Sequence, residues 1–76
     1  MTKSEFYSEL ESLLEQEPGS IQGTKSLADL AGWDSMAVLS FMAFADSKLG
    51  ELVNPAAVSV CRNVHDLENL FPGKIK

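Results

Sequence analysis

One cysteine is all the chain has, so no internal disulfide can form. Small domains that depend on such cross-links belong to oxidising compartments, and the lone thiol fits a cytoplasmic protein. One Cys and one His also fall short of the four ligands of a usual zinc centre, so no metal site is expected. Bases are scarce as well. Six Lys and Arg face eleven acids for a net charge of −5, and Lys3, Lys25, Lys48, Arg62, Lys74 and Lys76 are scattered. A phosphate backbone needs clustered bases, which argues against nucleic-acid binding. No apolar run approaches the ~18 residues of a membrane span, and the opening Met-Thr-Lys-Ser-Glu-Phe lacks the pattern of a signal peptide. An alternating apolar and polar run bounded by turns is also missing, so no strand is expected.

What is present is helical periodicity in a 76-residue chain, enough for one domain with a modest core. Thr2-Lys3-Ser4-Glu5 has the form of a capping box. Phe6, Leu10, Leu13 and Leu14 follow at i, i+4, i+7 and i+8, one face of a first helix ending near Gln16 before Pro18. Glu9, Glu11, Glu15 and Glu17 read as its solvated side. Residues 18–33 form a loop longer than most connections, with Ile21, Leu27 and Leu30 as anchors into the core and a short turn at Ser26-Leu27-Ala28-Asp29.

A second helix is expected from Ser35 through Leu49, closed by Gly50, with Leu39, Phe41, Met42, Ala45 and Leu49 facing the core. Asn54-Pro55 opens a short helix to about Cys61, and Asn63 caps a last helix with Val64, Leu67, Leu70 and Phe71 inward. Pro72-Gly73 stops it, and residues 73–76 read as a frayed tail. The expected fold is all-α: a small four-helix bundle, three main helices and one short, in a single domain spanning residues 1–76.

The second helix opens on Gly32-Trp33-Asp34-Ser35-Met36. Asp34 is a good N-cap, since its carboxylate can accept from the free N–H groups of the first turn. Ser35 then sits at the positive end of the helix dipole, where an attached anion is favourably placed. Asp and Ser are common caps, so the pair alone need do no more than start a helix. In its wider setting the stretch resembles the acyl carrier protein family, in which an Asp-Ser-Leu motif carries 4′-phosphopantetheine on its serine. The resemblance extends to Leu27-Ala28-Asp29-Leu30 before the motif and Asn63-Val64-His65-Asp66-Leu67-Glu68-Asn69-Leu70 after it, most of the chain in the family's order; Met36 replaces the commoner leucine.

The resemblance implies a carrier with no catalytic residue of its own. Ser35 would receive the arm from coenzyme A through a phosphopantetheinyl transferase using Mg²⁺, with Asp34 assisting. The arm's thiol would pass acyl groups between acyl-loading and acyl-processing enzymes of a fatty-acid-like, polyketide or other specialised pathway, and a cytoplasmic monomer is expected. Fatty-acid carriers show several acids on this helix, whereas Met36, Ala37, Ser40, Ala43 and Ser47 make a small, nearly uncharged stripe. That departure favours a dedicated partner docking by shape and apolar contact. An Ala/Ser surface with no role fits the stripe equally well.

Other readings stay open. A D-alanyl or other aminoacyl carrier shares the chemistry, although peptidyl carriers usually show a Gly-Gly-x-Ser motif in place of Gly32-Trp33-Asp34-Ser35. An unmodified interaction module with the carrier fold is a second alternative. A serine hydrolase is remote: the Gly-x-Ser-x-Gly elbow is missing, and His65, the single histidine, reads as exposed. Cys61 reads as a buried thiol among Val58, Val60 and Val64, Tyr7 as a half-buried edge residue, and Trp33 as seating the loop on the helix. Phe41, Met42, Phe44 and Ala45 would either fill the interior or border a space for an acyl chain.

Overall fold

In the computed structural model, which describes all 76 residues, the chain is all-helical with no strand. Four α-helices, α1 (Lys3–Leu13), α2 (Ser35–Phe44), α3 (Pro55–Ser59) and α4 (Val64–Glu68), are joined by a 3₁₀ turn at Leu27–Asp29 and a π-helical turn at Ala45–Leu49. The last helix is as short as the third, so only α1 and α2 are long. Past Glu68 the chain tightens into i+3 turns, with Leu70 N–H on Leu67 O and Phe71 N–H on Glu68 O. No helix is long and apolar enough to cross a membrane.

The caps fall where the side-chain chemistry put them. Glu5 N–H donates to Thr2 Oγ1 at 3.1 Å, and Thr2 N–H donates back to Glu5 Oε1 at 2.9 Å. The Thr2 N–H donated to that carboxylate holds the Glu5 carboxyl below its ordinary range. Asn63 and Asp66 form the same reciprocal box on α4. The end of α1 differs from expectation: it stops at Leu13, and Glu15 takes the left-handed conformation at φ +57°. Gln16 N–H then reaches Glu11 O at 2.7 Å and Glu15 N–H reaches Ser12 O at 3.3 Å, a Schellman closure without glycine.

The core gathers Phe6 and Leu10 from α1, Leu14 from its C-terminal cap, Ile21, Leu27 and Leu30 from the loop, Ala37, Phe41 and Phe44 from α2, and Val58, Val64, Leu67 and Phe71 beyond. At its centre the rings of Phe6, Phe41, Phe44 and Phe71 sit 5.9 to 6.3 Å apart, mostly edge-on or tilted. Leu39 is a correction: it is 63% exposed. At ~100° per residue it lies about 200° round the helix from Phe41, on the opposite face. By the same arithmetic Leu49 in an unbroken α-helix would stand about 80° ahead of Phe41. The wider π turn draws it back to the core, where it is buried. Gly50, at φ +67°, closes that turn with its N–H on Asp46 O.

The long loop is stitched down along its length. Glu11, assigned by pattern to the solvated side, is buried, and its Oε2 accepts from Gly19 N–H at 2.8 Å and Ile21 N–H at 3.0 Å. Further on, His65 N–H donates to Gly23 O, Val64 N–H to Lys25 O and Leu27 N–H to Arg62 O, so the loop pairs with the entry to α4. The expected frayed tail is tied as well: Lys76 N–H donates to Met1 O at 2.8 Å, and Ile75 packs on the core.

Candidate functional site

The last stretch of the loop delivers Asp34 and Ser35 to the start of α2. Gln16, just past α1, donates through Nε2 to Ala31 O at 3.2 Å. Gly32 then turns the chain at φ +86°, a conformation that suits glycine. Trp33 is half-buried with its ring edge-on to Phe41 at 6.0 Å, which seats the loop as its aromatic bulk suggested. Asp34 follows in extended conformation, and its Oδ1 accepts from Ala37 N–H at 2.9 Å.

Ser35 is therefore the first residue of α2 and is exposed, as is Asp34. Asp34 satisfies one of the free amides of the first turn. The amides of Ser35 and Met36 make no backbone hydrogen bond and remain as donors at the positive end of the helix. An anionic group on the Ser35 oxygen would meet those two N–H groups. Beside Ser35 an open groove of about 400 Å³ runs between the end of α1 and the start of α2. Leu13, Leu14, Met36 and Ala37 wall it, and Glu15, Asp34 and Ser40 rim it.

Of the stripe expected to dock a partner, Met36, Ser40, Ala43 and Ser47 are exposed. Ala37 is not: it is buried, because four residues separate it from Phe41 and the two share the inner face. Leu39 takes its place on the outer surface, three residues from Met36 and four from Ala43, a spacing that assigns it there once the helix is phased on Phe41. Met36 is 75% exposed, so two large apolar side chains stand in solvent on the helix that Ser35 opens. Leu52 and Val60 are also exposed; Val60 therefore does not shelter Cys61 as its neighbours in sequence suggested. Cys61 is half-buried with its thiol on Ala57 O at 3.3 Å, and burial followed by the Asp66 charge raises its pKa.

The other titratable cluster belongs to the loop anchorage. His65 is exposed in part, with Nδ1 3.3 Å from Glu68 Oε2, and its ring and the Tyr7 hydroxyl crowd the Cα of Gly23. Glu68 is buried and its Oε1 has no hydrogen-bond partner. Burial, then Glu68 as acceptor and as charge, push the Tyr7 hydroxyl up to about 12. No group of three or more His, Cys, Asp and Glu side chains is placed to hold a metal ion. Compared with protein-family models, curated proteins and solved structures, the chain gives no match.

Proposed function

We propose that the chain is a free-standing acyl carrier protein, its four helices arranged as a bundle and Ser35 its point of attachment for 4′-phosphopantetheine. The observation that carries this reading is the exposed Ser35 hydroxyl at the first position of α2, capped by Asp34 and flanked by two free amides. The residues present fit the group. A phosphodiester on Ser35 gains the helix dipole and the amides of Ser35 and Met36, and a mobile tether has open solvent and a groove beside it.

Attachment is the work of a phosphopantetheinyl transferase. Ser35 Oγ attacks the phosphorus of coenzyme A that bears the pantetheine, a new O–P bond forms and the bridging P–O bond of the pyrophosphate breaks. The nucleotide 3′,5′-ADP leaves with the electron pair, and the hydroxyl proton passes to a base of the transferase, whose Mg²⁺ offsets the developing charge. When bound, the arm supplies a thiol that holds acyl cargo as a thioester. This chain's own residues present that tether and dock its partners, so that cargo meets each partner at high effective concentration. Met36, Leu39, Ser40, Ala43 and Ser47 offer a nearly uncharged docking surface, which favours a dedicated partner in a pathway apart from bulk fatty-acid synthesis. The two exposed apolar side chains also favour, as a second reading, an unmodified module that only docks a partner.

Incubation with coenzyme A, Mg²⁺ and a broad-specificity phosphopantetheinyl transferase separates the two. Intact mass is expected to rise by one phosphopantetheine in the wild type and to stay unchanged in Ser35→Ala. A folded wild-type chain that gains no mass, or a Ser35→Ala chain that does, overturns the carrier reading.

A further inference from the structure

The interior leaves no room for cargo. Phe6, Phe41 and Phe71 are at most 1% exposed, and with Phe44 they interlock at 5.9 to 6.3 Å between centroids. Of the three clefts in the molecule, none is lined by Phe6, Phe41 or Phe44, and Phe71 only edges one near the C-terminal tail. Opening a space for an acyl chain would mean prising apart a packed ring cluster, and such cores resist volume changes of even one methylene. The apolar surface nearest Ser35 lies outside, in the groove walled by Leu13, Leu14, Met36 and Ala37.

We propose that this groove between the end of α1 and the start of α2 is the resting site of the arm and the first part of its cargo, which therefore travels on the outside of the protein. The inference rests on the carrier reading and adds where the tethered group lies. Three features of the groove suit that occupant. Its residues flank the attachment point directly, through Asp34 and Met36. Four of its eight lining residues, Leu13, Leu14, Met36 and Ala37, are apolar, matching methyl and methylene groups. Its rim offers acceptors, the Glu15 and Asp34 carboxylates and the Ser40 hydroxyl, matching the N–H groups of an amide-containing chain. The left-handed Glu15 and Gly32 fix the backbone on one side, so the groove is formed before anything enters it.

Backbone-amide NMR of the apo, arm-bearing and octanoyl-bearing forms tests this, with intact mass confirming each form. Shifts are expected at Leu13, Leu14, Gly32 and Ser40 in the arm-bearing form, larger with the octanoyl group, while Phe44, Val58 and Phe71 stay fixed. Cutting back one wall of the groove with Leu13→Ala, at a half-buried position away from the docking surface, should at least halve the shifts at Leu14 and Gly32 while the mass gain persists. Shifts that grow with acyl length at Phe44, Val58 and Phe71 would place cargo inside and overturn the inference. Shifts confined to Ser35 and its neighbours in a fully modified chain would overturn it too, leaving the carrier reading standing. A chain that takes no arm removes both.

Discussion

The two faces of α2 have opposite duties. Its inner face, Ala37, Phe41 and Phe44, is buried against α1, the loop and Phe71. Its outer face, Ser35, Met36, Leu39, Ser40 and Ala43, is in solvent and includes two large apolar side chains. The inner face fixes where the helix lies, and only because it is fixed can the outer face hold the Ser35 hydroxyl and the exposed Met36 and Leu39 side chains in constant geometry. Substitutions on the inner face should therefore cost stability. Those on the outer face should leave stability nearly unchanged and alter what the protein engages.

The sharpest way to break this contrast is Phe41→Ala, which removes the ring that touches Phe6, Phe44, Phe71 and Trp33. A loss of about 3–5 kcal/mol is expected in denaturant unfolding, a large share of what a domain this small holds. Next comes Glu11→Ala, outside α2 but part of what holds the loop that leads to it. Two backbone amides, Gly19 and Ile21, lose their shared acceptor, so ~1–3 kcal/mol should go, together with hydrogen-exchange protection at those two amides. Asp34→Ala removes a cap from the border between the faces. About 1 kcal/mol of stability is expected to go, along with a slower transfer of the arm to Ser35. Smallest is Leu39→Ser, on the outer face. Its midpoint should stay within roughly 0.5 kcal/mol of wild type, while binding to a cognate partner weakens. A Leu39→Ser chain destabilised as much as Glu11→Ala would mean the outer face is part of the fold after all.

The same division explains how far the residues alone could lead. Caps are local chemistry, and Thr2, Asp34, Asn54 and Asn63 each bond an N–H of the first turn as their side chains suggest. The loop anchors Ile21, Leu27 and Leu30 were legible because isolated apolar residues in a polar stretch have one place to go, and all three are buried. What escaped is non-local. Glu11 looks like its acidic neighbours until a loop ten residues away returns to give it two N–H donors. The end of α1 was placed too late because the left-handed residue that closes it is Glu15, with no glycine to announce it. At the candidate site, Asp34 and Ser35 could be placed from the motif. The phase of the helix behind them was misread by assigning Leu39 inward and Ala37 outward, an error that the Ala37, Phe41, Ala45 spacing corrects. The groove joins Leu13 and Leu14 to Met36 across more than twenty residues, and no local pattern announces it.

The most direct test is the mass of the protein taken from the cells that naturally make it, followed by fragmentation of the peptide spanning residues 32–36. The account predicts one phosphopantetheine, with or without cargo, on the Ser35 oxygen. A peptide recovered quantitatively with a bare serine would contradict it.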